Sequence, residues 1–440
     1  MNTEEGLKRE IGLWGFTANI INIVIGSGIF VLPALVSEGL GSAGILAYLF
    51  CGFLITIIML CFAEAGSKVT TTGGAYAYIE VAFGKYFGFL TTNMLVFGTS
   101  LMATAAVANA LANTLSYLFP IFSEPLFRAG FFILLFSGLA TINIIGVKQG
   151  IRLIKFTTIA KIAPLLLLII WGSTQIAFDN LLWHKDPSFN DIGKISLILF
   201  FAFQGAESSL SVGGEVRNPK KTVPKGIMLS FIIILLLYIA IQVVSQGILG
   251  DSFSSFKTAP LAEVANRIMG PVGITIMIAG AAISMFGYLS SDSLNMPRVL
   301  FRSSIDRVIP IKPLSAVHSK FATPYIAVIT FTSLGCFFSI TGEFKQLAIF
   351  SSSSVLLVYL GVALAVIKLR FNKTPDPAAF IIPGGYAVPI LSIITILWFL
   401  SNLNSQEMMG IVIMISILSL VYLGIKLFKL DKQGIDSSKA

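Results

Sequence analysis

The chain has 440 residues, 55% of them hydrophobic and 12% charged, with a mean hydropathy of +0.88. Soluble globular chains carry about 25% charged residues, so this one cannot cover a water-facing surface and must use lipid as its main solvent. Its net charge of +9 is spread over short loops and forms no continuous patch, which argues against a nucleic-acid partner.

Residues 1–10 are polar and charged, and the apolar run behind them lacks a small-residue cleavage site. It reads as a retained first span and not as a signal peptide. A spanning helix needs about 20 mostly apolar residues. Twelve such segments can be marked, at 11–38, 43–66, 86–117, 127–146, 153–176, 193–212, 226–249, 271–297, 322–341, 346–370, 387–403 and 408–428.

The first segment carries GSGIF, Gly26 to Phe30. Each glycine costs a helix about 1 kcal/mol relative to alanine. Such a pair either opens the backbone to a ligand or lets two helices pack closely. Glu64, near the end of the second segment, reads as an interfacial structural acid. The third segment contributes Thr99 and Thr104 to an apolar, small-polar interior.

Lys161 lies about 12 Å into the fifth segment. It either snorkels to the cytoplasmic surface or serves function. The sixth segment holds Gln204, Gly205 and Glu207 together in mid-span. A carboxylate there is costly unless it is paired or faces water. Glu207 can cap freed backbone N–H groups, face a ligand, or do both.

Asp292 is the other acid at depth, in the eighth segment. It can pair with Arg298 or cap the helix, or it can face a central cavity and take a cationic side chain or a proton. A short external helix is expected over 260–269, and the Pro- and Gly-rich stretch 374–389 reads as a structured loop.

With the N-terminus inside, twenty-four of the thirty Lys and Arg residues fall on the inner side. That bias places both termini in the cytoplasm of a multi-pass protein of the cell membrane. Cys51, Cys61 and Cys336 sit in apolar runs, and His184 and His318 in polar loops. No metal site and no cofactor are expected. No nucleophile–base constellation lies within the membrane, which disfavours an enzyme, and no phosphate-binding G-x-x-x-x-G-K-[ST] motif occurs. A channel would need a continuous pore lined by rings of carbonyls or charges. Interrupted helices at the first and sixth segments, the leading helices of two five-helix halves, point instead to a solute carrier with a central site.

Several stretches resemble the amino acid–polyamine–organocation (APC) superfamily of permeases. They are GSGIF at 26–30, GGAYAYIEVAFGKYFGF at 73–89, FAFQGAES at 201–208, GEVRNPKKTVPKGI at 214–227 and RVLFRSSIDRVIP at 298–310, where Arg307 stands in place of the usual glycine. The resemblance covers roughly residues 10–430.

It implies an all-α LeuT-type fold, a five-plus-five inverted repeat with helices 1 and 6 unwound and helices 11 and 12 outside it. The implied layout is a tail at 1–10, a first repeat at 11–176, a second at 193–370, two further helices at 387–428 and a tail at 429–440. It implies amino-acid transport, driven by protons or by exchange. Ile25, Gly26, Ser27, Gly28 and Ile29 would hold the substrate carboxylate. Phe201, Ala202, Phe203 and Gly205 would take the ammonium and flank the side chain, with Phe201 as an aromatic gate and Thr104 in the lining. Lys161 stands where several proton-dependent members have a lysine in place of a sodium ion. Its ammonium is expected near Val24 and Ile25 and near Ser290 or Ser291, with Glu207 as a second proton group. The lining suggests a neutral substrate, while Asp292 keeps a cationic amino acid or polyamine open. Self-association is left open as well.

Overall fold

The computed structural model describes residues 12–69, 74–145, 148–183, 186–209, 216–305, 309, 311–321, 323–371 and 380–437. The expected tail at 1–10, His184, Arg307 and the inner end of the sixth segment lie outside these residues. Among the described residues the chain is helical, with no strand. Seven helical stretches are long and apolar enough to cross a bilayer, and four shorter apolar helices accompany them. This is the composition of a polytopic membrane protein, because a helix satisfies its backbone polar groups internally where no water can.

The first segment is two helices, α1 (Leu13–Val24) and α2 (Gly28–Leu40). With α3 (Ile45–Lys68), α2 forms an apolar stretch of 41 residues. A single straight helix of that length would reach about 60 Å, twice the apolar thickness of a bilayer. Gly41 ends α2 at φ +54°, a left-handed value that favours glycine, and a short 3₁₀ turn leads into α3.

A short helix that the sequence pattern did not single out, α4 (Ala75–Phe83), precedes α5 (Lys85–Asn93). The third segment is not one uniform helix. Between α5 and α6 (Leu101–Ser116), residues Met94–Ser100 widen into a π-helical stretch, a feature that often marks functional sites. Then come α7 (Pro125–Ile145) and α8 (Lys148–Gly172).

The sixth segment is broken. α9 (Phe189–Leu199), capped by Ser188, tightens into a 3₁₀ turn at Phe200–Phe203. The chain passes through extended Gln204 and through Gly205 at φ +108° before α10 (Ala206–Ser209). α11 (Pro219–Leu249) starts seven residues before the expected boundary, and the anticipated short helix is α12 (Pro260–Met269). The remaining helices are α13 (Pro271–Ile305), α14 (Tyr325–Thr341), α15 (Phe344–Phe371), α16 (Ala387–Ser401) and α17 (Ser405–Ser437). α17 thus runs past the boundary at 428 where a tail was expected.

α1 and α3 pack on α11, α9 on α3, α6 and α8 on α13, α7 on α14, and α15 on α6. This brings both breaks to the middle of the molecule. Gly28 faces Ala202, and Gly205 faces Ile23.

Candidate substrate-binding site

Breaking a helix frees backbone groups that need partners in a medium without water. At the first break the freed carbonyls are held by side chains from three other helices. Lys161 on α8, only 5% exposed, donates from Nζ to the carbonyls of Asn22 and Ile25, the latter at 2.8 Å. It therefore does not snorkel to the surface. Ser284 on α13 donates to Gly26 O at 3.3 Å and reaches Ile25 O at 3.5 Å. The α13 residue that shares a carbonyl with Lys161 is thus Ser284, not Ser290 or Ser291, which stand about two turns further along. Tyr238 on α11 donates to Ala202 O at 2.9 Å and lies 3.4 Å from Val24 O, so one hydroxyl touches both breaks.

The glycines at the first break have different surroundings. A Cβ on Gly28 would lie 2.6 Å from Ala202 Cβ and 2.7 Å from its Cα, so Gly28 lets the two broken segments cross. A Cβ on Gly26 would meet only Tyr288, at 3.8 Å. Ser27 is 1% exposed, stands just before α2, and its hydroxyl has no partner among the described residues. A buried hydroxyl beside the positive end of a helix suits a carboxylate ligand. Ile29 is buried one residue further on.

At the second break Glu207 accepts the Gly205 N–H at 3.0 Å and the Tyr359 hydroxyl of α15. It caps the interruption. Gln204 ties the break to α15, donating to Ser352 at 2.8 Å and accepting from Ser351 at 3.0 Å. Ser351 reaches Thr99 O in the π-helical stretch at 2.9 Å. Phe201 is buried against Phe344, their ring centroids 5.8 Å apart. Phe203 packs on Tyr238, and the Ala202 carbonyl is occupied by the same hydroxyl, so neither is turned to a ligand in this conformation.

Asp292 accepts from Ser100 and Thr104 on one oxygen, Oδ2, at 2.5 Å each. The alternative pairing with Arg298 is not formed, because Arg298 donates to the Leu294 carbonyl of its own helix. Thr104 is therefore a partner of Asp292 rather than a free lining residue. Tyr288, one turn away on α13, lies within electrostatic range of both Asp292 and Glu207. Ser100, Tyr238, Ser284, Tyr288, Ser351 and Tyr359 were not singled out from the sequence, and Gln204 only as a mark of the second break. A signal existed for some of them, since polar residues such as the serine run 351–354 stand out in an apolar segment.

The family model for amino acid permeases matches residues 11–425. The chain belongs to that family. It is 29% identical to the serine/threonine exchanger SteT of Bacillus subtilis over 439 residues, covering 97% of this chain and 99% of that protein. It is 25% identical to the branched-chain amino acid permease BcaP of the same organism, over 91% of this chain and 89% of BcaP. It is 28% identical to the human large neutral amino acids transporter small subunit 2, over 84% of this chain and 71% of the relative. The protein is thus an amino acid transporter of the APC superfamily and not an enzyme, in line with the motifs along the chain.

Proposed function

We propose that this permease is a sodium-independent carrier that moves neutral amino acids across the cell membrane together with protons. In this reading the chain crosses the membrane twelve times with both termini cytoplasmic, and two five-helix repeats place their broken leading helices around one site. The substrate carboxylate meets Ser27 and the backbone at the start of α2, near Gly26. Its ammonium meets carbonyls of the second break.

The observation that carries the reading is Lys161. Its ammonium bridges two carbonyls of the broken first helix, Asn22 and Ile25, from a different helix, α8. A fixed positive charge there occupies the ground on which a coupling cation would sit, and it repels sodium. It also joins the first break to α8, so a change in its protonation would alter that joint. Neutral substrates fit the buried apolar walls of Ile25, Ile29 and Phe201 and the names of two relatives, a branched-chain amino acid permease and a large neutral amino acids transporter subunit. Exchange is the second reading, because another relative is a serine/threonine exchanger.

The test is uptake of labelled neutral amino acids into proteoliposomes, with and without a pH gradient and sodium, for wild type and Lys161→Ala. The wild type should accumulate substrate on an inward proton gradient without sodium. Lys161→Ala should still bind substrate but lose at least about tenfold in accumulation, which corresponds to roughly 1.4 kcal/mol. Strict sodium dependence, or full pH-driven accumulation by Lys161→Ala, would overturn the proposal. Uptake that appears only after preloading with substrate would select the exchanger.

A further inference from the structure

We propose that Asp292, held by Ser100 and Thr104, is a subsite for the positive end of a substrate side chain, so that the carrier also accepts amino acids with a side-chain ammonium. The proposal rests on the reading above, in which the two breaks seat the amino acid's backbone groups.

Asp292 stands in the apolar run of α13 and makes no ion pair with any Lys or Arg among the described residues. Lys161 on α8, which packs on α13, and Arg298 on α13 itself are both engaged elsewhere. Lys161 is directed at the carbonyls of the first break and Arg298 at Leu294 O. Glu207 is the other acid at this depth, but the Gly205 N–H and the Tyr359 hydroxyl hold it to the second break. The counter-charge for Asp292 is therefore missing from the described protein. A carboxylate in the middle of a membrane is retained at several kcal/mol unless a charge or a proton compensates it.

The way Asp292 is held fits a receptor for a donor. Both hydroxyls bond the same oxygen, Oδ2, and no described residue bonds Oδ1. Ser100 is 5% exposed and Thr104 is fully buried, yet Asp292 between them keeps accessible surface. Ser100 closes the π-helical stretch and Thr104 follows four residues later, so both side chains fall on one face of the helix. The carboxylate is thus held through one oxygen, and its second oxygen receives no bond from a described residue. That is the pre-organisation a charge-assisted hydrogen bond needs to be strong in a low-dielectric site.

Position sets the size of the ligand. Tyr288 approaches the space above Gly26 at the first break, and Asp292 lies one turn beyond it on α13, roughly 6 Å along the axis. A side chain of three or four methylenes, with bonds of about 1.5 Å, spans that distance and ends in its ammonium. The ligand class is therefore an amino acid of the lysine or ornithine type. A neutral side chain of equal length, as in norleucine, would leave the carboxylate without a partner.

The test compares lysine, ornithine and norleucine. Purified protein is assayed by thermal shift, and proteoliposomes by competition against a labelled neutral amino acid. In the wild type lysine or ornithine should raise the melting temperature and compete with the label. In Asp292→Asn the affinity ratio of lysine to norleucine should fall at least about tenfold. Asp292→Glu, which advances the carboxylate by one methylene, should move the preference from lysine toward ornithine, and it serves if the asparagine variant does not fold.

Wild-type protein that binds norleucine or another neutral amino acid but neither lysine nor ornithine would overturn this proposal and leave the neutral carrier standing. An unchanged ratio in Asp292→Asn, or an unchanged chain-length preference in Asp292→Glu, would also overturn it. Absence of saturable uptake for every neutral amino acid would instead remove the reading on which it rests.

Discussion

At the scale of single residues, Gly26 and Gly28 are indistinguishable in the sequence and separable in the structure. Either could open the backbone to a ligand or allow close packing; Gly28 does the second, and Gly26 has open space beside it. Gly28 is pressed against the Ala202 Cα and Cβ, so alanine there must displace backbone. Overpacking of this kind costs about 1–3 kcal/mol. Gly26 has room for a methyl group, directed at Tyr288. Gly28→Ala should therefore lower the melting temperature of the purified protein and the yield of folded material. Gly26→Ala should melt within a few degrees of wild type while raising the KM for uptake about tenfold, because the added methyl enters the space assigned to the substrate. A stable, fully active Gly28→Ala would show that the breaks do not need to cross this closely. Legibility followed the same line. Lys161, Glu207 and Asp292 were conspicuous because a charge in an apolar run needs a reason. The hydroxyls that hold Asp292 were not, since it meets Ser100 and Thr104 across 192 and 188 residues of chain.

At the scale of elements, the two breaks could be read because glycine and mid-span polar residues punctuate them. The π-helical stretch could not. MLVFGTS at 94–100 has the composition of an ordinary spanning helix, and a tie that distinguishes it is a distant one. Ser351 on α15 bonds both the Thr99 carbonyl and Gln204. The stretch and the second break are thereby fastened to one helix. The short α4 was missed for a related reason, since its aromatic and alanine residues run on toward the next span. Only Gly84, at φ +89°, marks the corner between α4 and α5. The fastening makes a measurable claim. Ser351→Ala removes the single hydroxyl donor that the Gln204 amide oxygen and the Thr99 carbonyl share, which should cost about 1–3 kcal/mol. Ser353→Ala, on the same buried helix, removes only a bond to Ile349 O within its own helix and should cost little. Thermal unfolding of the two purified variants separates these outcomes, and equal losses would show that the link between α15 and the second break carries no stability.

At the scale of the whole molecule, the pattern of helix contacts supports the five-plus-five repeat better than any residue-level similarity does. Exchanging the first five segments for the next five maps α3 onto α11, α6 onto α13 and α7 onto α14, and each of these pairs is in contact. The same exchange turns the packing of α1 on α11 into that of α9 on α3, and α8 on α13 into α15 on α6, and those contacts are also made. Such mutual pairing is what a pseudo-two-fold axis generates. The proposed layout is read from hydropathy and the broken helices, while the pairing of helices becomes visible only through their contacts. An inverted repeat as proposed also requires a definite sidedness, which rests on the distribution of Lys and Arg. Three exposed positions test it: Ser255 before α12, Ser319 before α14 and Thr341 at the end of α14. With the N-terminus inside, cysteines at Ser255 and Thr341 should react with a membrane-impermeant maleimide in intact cells, and a cysteine at Ser319 only after the membrane is opened. The native cysteines give a low background, since Cys51 and Cys61 are buried and Cys336 is half-buried in an apolar helix. The reverse pattern would place both termini outside. Labelling of Ser255→Cys and Thr341→Cys from opposite faces would mean that α13 and α14 do not each cross once, and the inverted repeat would fail with it.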